Sequence, residues 1–380
     1  MLIKNALVYN NGIRGFLKSD IRIENGIIAE MGEQISPCTQ DVFDADGLAM
    51  LPGLVDVHTH GRAGYDFVNA PEEKLGEVAK DYARHGVTTV MPTIASAPFE
   101  QMCEAARRVN SYSARDGEAD LCGVHIEGRY LNPKRKGAHA ESLICSLKAE
   151  ELEAEVFRMC RSLHISAAYE LDSDGSFAQK ALSLGATLGL GHTDATYAEA
   201  RLAEQRGVTA YTHLFNAMPP LHHRDGGAVC AALNGDNFAE LICDGIHISP
   251  EMIRLAYSCL GYKRAVLVSD SMEATGCVDG EYSIAGNPVT VKNGIAYTHG
   301  GALAGSTLTL DAAVNNLMDF CGIPLNEAIL CATENPSREI GVFDTRGSLE
   351  VGKRADLLLI KGTQRLDISK VMVNGNFLII

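Results

Sequence analysis

The sequence predicts an α/β fold, a (β/α)8 barrel of the TIM type with a small β-sandwich domain built from both termini. Eight strand-like apolar runs alternate with helix-like segments in the middle of the 380-residue chain. Both ends of the chain instead alternate short apolar runs with Asn-Gly turns. Side chains able to bind metals or move protons stand near the ends of at least six of the eight runs. In a barrel, those ends meet at one mouth.

The two ends of the chain are predicted to form one small β domain, from residues 1–50 and 343–380. LIKNALVY, DIRIE and IIAEMG are separated by Asn11-Gly12 and Asn25-Gly26, which are typical hairpin turns. Near the carboxyl terminus, ADLLLIK and KVMVNGNFLII repeat the pattern around Asn374-Gly375. Both ends therefore have the alternation of a half-buried sheet.

Residues 51–342 are predicted to form the barrel, with a hairpin insertion near 279–299. Helical spacers such as PEEKLGEVAKDYARHG and AEARLAEQRG end at Gly86 and Gly207, where a C-cap belongs. The predicted strands are Leu54–His60, Thr88–Thr93, Leu121–Gly128, His164–Glu170, Ala186–Thr193, Ala210–Asn216, Glu240–His247 and Ala265–Met272.

Charge and cysteine usage narrow the function classes. A formal net charge of -15 disfavours nucleic acid or an acidic membrane as partner, since such binders need basic surface. The 11 cysteines include no C-x-x-C pair, which indicates reduced thiols in a cytoplasmic protein. The amino terminus is too polar for a signal peptide, and no stretch is apolar enough to span a membrane. We expect a cytoplasmic protein.

A metal centre is predicted at the mouth. His58 and His60 are two residues apart on a strand and therefore point the same way. Glu127, His192 and His213 add a carboxylate and two imidazoles, a mixture that zinc, iron or manganese accepts. Such a metal polarises a carbonyl and activates water.

A proton shuttle belongs beside that centre. Asp270, late in the eighth strand, is the predicted group: it would take a proton from the attacking water and return it to the leaving nitrogen. Histidines at other strand positions, such as His125 and His164, are interpreted as hydrogen-bonded packing residues. His85 and His299 are expected on the surface or in loops. No G-x-S-x-G elbow or Walker-type loop supports a different chemistry.

The ordered motifs resemble the amidohydrolase superfamily and, more closely, its N-acetylglucosamine-6-phosphate deacetylases. The resemblance covers nearly the whole chain and rests on LPGLVDVHTHG, GVHIEG, KGAH, GHTDATYAEA, THLFNAM, DGIHISPEMI, VLVSDSMEATG, ALAGSTLTLDAAV and GSLEVGKRADLLLI. PG-x-x-D-x-H-x-H alone would indicate only the superfamily. The resemblance implies removal of acetate from the 2-amino group of a phosphorylated sugar.

Matched position by position, the resemblance implies roles for the same polar residues. Glu127, His192 and His213 are similar to the family's main metal ligands, and Asp270 to its catalytic acid/base. His58 and His60 resemble a second-metal pair that some members have and others replace. The predicted centre therefore holds one or two divalent ions.

The resemblance also implies a substrate site. Arg224 is similar to the arginine that reaches the sugar phosphate, often from the neighbouring subunit of a homodimer, and a guanidinium suits phosphate oxygens. His247 is similar to the residue near the scissile amide. The other implied sugar contacts are Ala138, His139, Asn216, Ala217, Leu303, Ala304 and Gly305.

Three departures from the family pattern leave the exact substrate open. Gly128-Arg129-Tyr130 replaces Gly-Pro before an aromatic residue. Arg-Asp-Gly-Gly at Arg224 replaces Arg-Glu-Pro-Gly, and the fourth strand lacks the usual Pro-Glu before Glu170. The alternatives are the galactosamine epimer, another N-acyl or cyclic amide, and a silent barrel that only binds sugar phosphate.

Overall fold

The computed structural model describes residues 1–37 and 41–378. The chain begins with five strands, β1 Leu2–Asn10, β2 Gly15–Glu24, β3 Ile27–Gly32, β4 Val42–Asp44 and β5 Ala49–Pro52. β2 and β3 pair antiparallel across Asn25 and Gly26, whose φ angles of 51° and 76° match the two positive-φ positions of a type I′ turn. This explains the Asn-Gly signal at the amino terminus.

The next eleven strands contain the barrel wall. In chain order they are β6 Leu54–Thr59, β7 Gly61–Arg62, β8 Tyr65–Asp66, β9 Val87–Ala95, β10 Asp120–Leu121, β11 Val124–Glu127, β12 Leu163–Ala167, β13 Thr187–Leu190, β14 Ala210–Tyr211, β15 Phe238–Leu241 and β16 Ala265–Leu267. β7 and β8 form a separate small hairpin. The strands β17 Gly280–Ile284, β18 Asn287–Lys292 and β19 Ile295–Thr298 then form a three-stranded antiparallel sheet at the predicted insertion.

Helices occupy the spacers between the strands. They are α1 Leu75–Arg84, α2 Phe99–Ser111, α3 Glu155–Arg158, α4 Ser176–Ser183, α5 Tyr197–Gln205, α6 Gly227–Asn234, α7 Pro250–Arg264, α8 Leu310–Cys321, α9 Leu325–Ala328 and α10 Glu334–Glu339. Short 3-10 helices span Glu72–Lys74, Pro133–Arg135, Glu141–Leu143, Ala149–Glu153, Tyr169–Leu171 and Ile329–Ala332. α5 begins at a capping box in which Thr196 and Glu199 satisfy each other's backbone N–H groups.

All barrel pairs are parallel, and the (β/α)8 prediction is confirmed. The hydrogen-bonded order runs from β6 through β9, β11, β12, β13, β14 and β15 to β16, with the short β10 also on β9. Backbone hydrogen bonds link the eighth strand position to the first, from Asp270 N to His58 O at 2.9 Å and from His60 N to Ser271 O at 2.8 Å. These bonds bring Asp270 next to the H-x-H pair.

The strand ladders end earlier than the sequence predicts. The sixth strand was expected to reach Asn216 but ends at Tyr211, and the fifth ends at Leu190, before His192. His192, His213 and Asp270 have φ angles of 47°, 30° and 47°. A positive φ is strained for a residue with a side chain, and such strain concentrates at functional sites. The apolar pattern marked the strands but not the point where the backbone leaves the ladder.

The last strands are β20 Leu357–Ile360, β21 Ile368–Val373 and β22 Asn376–Phe377. They join the first five in one mixed sheet of order β22-β21-β20-β5-β1-β2-β3, with β4 on β1. On β20, Leu358 and Ile360 pack on the barrel core, while Leu357 and Leu359 pack with Ile21 in a second core. Strands from both termini thus form one mixed sheet with a core of its own, where the small β domain was expected.

All 10 cysteines in the described part are free. Cys38, also expected to be a thiol, lies outside the described residues. No helix in residues 1–37 and 41–378 is long and apolar enough to cross a membrane.

Candidate active site

Six polar side chains from five barrel positions meet at the carboxyl end of the barrel. β6 supplies His58, with His60 directly after it; β11 ends in Glu127. The turns after β13, β14 and β16 supply the other three, His192, His213 and Asp270. All six are buried. The structure therefore brings together every residue that the sequence proposed for the metal centre and the proton shuttle.

The first cluster is formed by Glu127, His192 and His213. Glu127 Oε1 lies 2.8 Å from His213 Nε2 and 3.2 Å from His192 Nε2, and the two nitrogens are 3.1 Å apart. His192 Nδ1 lies 2.8 Å from the carbonyl oxygen of Arg135, which only accepts, so Nδ1 carries the proton and Nε2 keeps its lone pair. Neighbouring ligands of a tetrahedral zinc ion lie about 3.3 Å apart, given zinc bonds of about 2.0–2.1 Å. These three donor atoms fit a metal ion.

The second cluster adds His58, His60 and Asp270. His60 Nε2 lies 3.1 Å from Asp270 Oδ1 and 3.2 Å from Glu127 Oε2. His58 Nε2 lies 3.4 Å from Glu127 Oε1 and has no hydrogen-bond partner, although it is fully buried. Glu127 thus directs one oxygen toward each cluster. The donor set offers room for one ion or two.

Glu240 fixes the orientation of this shell from beneath. Its Oε2 accepts from His58 Nδ1 at 2.9 Å and from the backbone N–H of His213 at 3.0 Å. A carboxylate behind a metal-binding imidazole selects the tautomer whose other nitrogen faces the ion. Sequence reasoning placed Glu240 only at the start of a strand; the available signal was a charged residue inside a buried run.

The charged forms in the site stabilise one another. Burial alone would raise the pKa of Glu127, but His58 and the other surrounding imidazoles hold it well below its ordinary value. Burial likewise opposes ionisation of Asp270, yet His60 and His58 lower its pKa to about 2. Burial opposes protonation of His60, whereas Asp270 and Glu127 raise its pKa to about 9. A divalent cation would supply the positive charge in place of these imidazole protons.

His139 faces the same centre from a loop. Its Nε2 lies 3.7 Å from Glu127 Oε2, and its Nδ1 lies 2.8 Å from Ser96 Oγ. Ser96 Oγ in turn accepts the backbone N–H of Arg129 at 2.8 Å, so its hydroxyl proton is directed at His139 Nδ1. A proline at position 129 would lack that N–H. The departure from the family pattern therefore adds a hydrogen bond behind His139.

The Arg129 side chain points away from the metal centre. Its guanidinium lies 3.3 Å from Glu151 Oε1 and its Nε 3.2 Å from Cys145 Sγ. Arg129 therefore faces the site only with its backbone, where it has a φ of 53°.

A cavity of about 250 Å³ opens over the centre. His247 forms part of its wall; its Nδ1 lies 2.6 Å from Asp244 Oδ2, so Nε2 is left for the cavity. Burial lowers the pKa of His247, but Asp244 outweighs it and the net direction is upward. The other residues proposed for the sugar that line the cavity are Ala138, His139, Asn216, Ala217, Leu303 and Gly305.

Two predicted substrate residues lie elsewhere. Ala304 is fully buried, and its side chain packs in the barrel core. Arg224 is exposed in the loop before α6, where its guanidinium lies 2.8 Å from His223 Nε2. It does not line the cavity of its own chain.

The remaining histidines divide as the sequence suggested, with one exception. His125 is buried between Thr93 Oγ1 at 3.0 Å and Ser166 Oγ at 2.8 Å, as a packing residue should be. His85 and His299 lie outside the site. His164 is buried, but one of its two nitrogens has no partner.

Comparisons with known proteins agree with this geometry. The profile of the Amidohydrolase family matches residues 49–378. The chain is 34% identical over 358 residues to an N-acetylgalactosamine-6-phosphate deacetylase of Escherichia coli O157:H7, covering 93% of each chain. It is also 34% identical over 356 residues to an N-acetylglucosamine-6-phosphate deacetylase of Vibrio furnissii, covering 93% of this chain and 88% of the relative.

Solved structures extend the similarity to the whole fold. The N-acetylglucosamine-6-phosphate deacetylase of Thermotoga maritima superimposes with a TM-score of 0.87 at 32% identity and 99% coverage of both chains. A mutant of the Mycobacterium smegmatis enzyme in complex with N-acetyl-D-glucosamine-6-phosphate gives a TM-score of 0.87 at 29% identity, covering 99% of this chain and 98% of that one.

Proposed function

We propose that this chain, which belongs to the amidohydrolase family, hydrolyses the acetamide of an N-acetylhexosamine 6-phosphate. The products are acetate and the amino sugar phosphate, and N-acetyl-D-glucosamine 6-phosphate is the leading substrate. The observation that carries the proposal is the position of Asp270, on the wall of the cavity and 3.1 Å from His60 in the cluster of imidazoles and carboxylates. A proton-transfer group is thus next to the donors that a divalent metal needs.

Each residue has a distinct task in this reaction. Glu127, His192 and His213, with His58 and His60, would hold one or two divalent ions of the zinc, iron or manganese kind. Such an ion polarises the amide carbonyl and lowers the pKa of water.

Asp270 is ionised and therefore able to accept a proton from the attacking water. It then donates this proton to the nitrogen, which must be protonated to leave as an amine. Asp244 favours the protonated form of His247, which would donate Nε2–H to the acetyl oxygen.

The phosphate end of the substrate requires a cation, and Arg224 is the proposed one. Its guanidinium is exposed and contacts no carboxylate of residues 1–37 and 41–378, so it is able to bind phosphate with two parallel hydrogen bonds. Since Arg224 does not line its own cavity, it would serve the neighbouring subunit of a homodimer. The free thiols support the cytoplasm as the compartment.

The galactosamine epimer is a second candidate, because the relative from Escherichia coli O157:H7 that carries that name is 34% identical over 93% of the chain. Acetate release should be measured with both N-acetylhexosamine 6-phosphates and with the unphosphorylated sugars. Faster turnover of the glucosamine form would support it as the substrate. Faster turnover of the galactosamine form would make that epimer the preferred substrate. Equal rates without phosphate would refute the sugar phosphate, and no acetate from any sugar would refute deacetylation.

A further inference from the structure

A buried polar cluster, separate from the two clusters at the mouth, lies inside the barrel and away from the cavity. It consists of His164 near the start of β12, Glu240 in β15 and Glu339 at the end of α10. His164 and Glu240 are 0% exposed and Glu339 is 2% exposed. Neither His164 nor Glu339 lines the substrate cavity or has a part in the proposed reaction.

The cluster has more polar atoms than partners. His164 Nε2, Glu240 Oε1 and both carboxylate oxygens of Glu339 have no hydrogen-bond partner. The opposite atoms are engaged: His164 Nδ1 lies 2.8 Å from Thr187 Oγ1, and Glu240 Oε2 accepts from His58 at 2.9 Å. A buried polar atom without a partner costs about 1–3 kcal/mol, and more if it is charged. Four such atoms in one place indicate that something binds them.

The three side chains converge. One ring nitrogen of His164 and one oxygen from each carboxylate lie within 4.8 Å of one another. Gly189 on the neighbouring strand leaves open the space beside this nitrogen. A Cβ added there would lie 2.9 Å from His164 Nε2 and 2.7 Å from Thr212 Oγ1.

We propose that a divalent metal ion binds between His164 Nε2, Glu240 Oε1 and the Glu339 carboxylate. One imidazole and two carboxylates form a donor set that suits zinc, manganese or iron. A single proton shared by the two carboxylates would still leave His164 Nε2 and one oxygen of Glu339 without a partner. One ion engages all three side chains and balances two carboxylates that pair with no lysine or arginine in the described chain.

This buried ion stabilises the shell of the catalytic centre through Glu240. With Oε1 on the ion, Oε2 is held in place to accept from His58 Nδ1 and from the His213 backbone. The ion is therefore structural, since none of its three ligand residues lines the substrate cavity. Its binding does not depend on which substrate the mouth takes.

Metal counting tests the proposal on the full-length protein. Wild type, Glu339→Gln and Glu118→Gln would be loaded with Zn²⁺, dialysed against metal-free buffer and analysed for zinc per chain. Glu118 is a matched control, because it is also 2% exposed but hydrogen-bonds to Tyr112 and Arg115 elsewhere. We expect Glu339→Gln to hold one zinc ion fewer than wild type and Glu118→Gln to hold the same number. Equal counts in wild type and a folded Glu339→Gln would overturn the proposal.

A crystallographic measurement does not depend on a variant that folds. Anomalous diffraction at the zinc edge from wild-type crystals should give a peak bonded to His164 Nε2, Glu240 Oε1 and Glu339, separate from any peak at Glu127. A map with mouth peaks only would overturn the inference and leave the proposed deacetylation intact. A buried peak in a protein that releases no acetate would support the buried ion and refute the proposed deacetylation.

Discussion

The mouth of the barrel and its interior use the same residue types in different backbone settings. At the mouth, His192, His213 and Asp270 follow the ends of their strands and have positive φ angles. In the interior, His125 and His164 lie within β11 and β12, at directly opposite positions in the ladder register. Interior side chains are held by hydroxyl groups of adjacent strands, whereas mouth side chains are turned toward one another. His192 and His213 thus turn toward the mouth where their ladders end, whereas His125 packs between hydroxyl groups where its ladder continues.

The largest effect should come from Asp270. Asp270→Asn removes the group that moves the proton, so kcat should fall by about 10²–10⁴-fold. Metal content should change little, because five other donors remain. Steady-state kinetics and metal analysis on the same sample check both parts. A near-normal rate would remove Asp270 from the mechanism and weaken the contrast between the two regions.

A substitution in the barrel interior should lower the stability of the protein and leave kcat nearly unchanged. His125→Ala would leave Thr93 and Ser166 without their shared partner and create a cavity, lowering the free energy of unfolding by about 2–4 kcal/mol. Urea denaturation measures this loss, and kcat should remain within a few-fold of wild type. A folded variant with normal stability and greatly reduced kcat would contradict the division between packing and catalysis.

A smaller and more selective effect is expected at Arg224, outside both regions. Arg224→Ala removes charge-assisted hydrogen bonds worth about 1.5–3 kcal/mol, so KM for the phosphorylated sugar should rise about 10- to 150-fold. Stability should not change, since the side chain is exposed. Arg254→Ala, another exposed arginine, is a suitable control. An equal loss with unphosphorylated sugar would show that Arg224 does not contact phosphate.

The smallest effect is a shift in pH dependence at His247. Asp244 raises the pKa of His247 above its ordinary value, so the protonated imidazole is lost only as pH rises through that raised value. Asp244→Asn removes the carboxylate and should move the alkaline limb of kcat/KM to lower pH. The pH profile of the metal-loaded enzyme measures this. A limb that stays in place or moves upward would exclude His247 as the group that titrates.

The sequence was sufficient for the parts of the site that depend on strand position. Two-residue spacing placed the His58 and His60 side chains toward Glu127, and the apolar runs located every barrel position. The sequence was insufficient to predict contacts between side chains from distant segments. Ser96 and Glu240 reach the centre through His139 and His58, and neither has a local pattern that says so.

Glu339 and Ala304 show that the burial of a side chain is hard to predict from the local sequence. Glu339 lies in the segment ENPSREI, which has the composition of a surface helix, yet α10 buries it against the barrel. Ala304 adjoins two cavity residues but packs inward. Burial is decided by how elements pack, and local composition does not record it.

We expect the cluster at the mouth to bind a metal and to hydrolyse the acetamide beside it. The most direct measurement is acetate release from N-acetyl-D-glucosamine 6-phosphate by the wild-type chain before chelation, after chelation and after Zn²⁺ or Mn²⁺ is returned. We expect turnover to be lost with the metal and to recover when one or two ions per chain occupy the mouth. Full turnover by the metal-free chain, or no acetate from the fully loaded chain, would contradict the account.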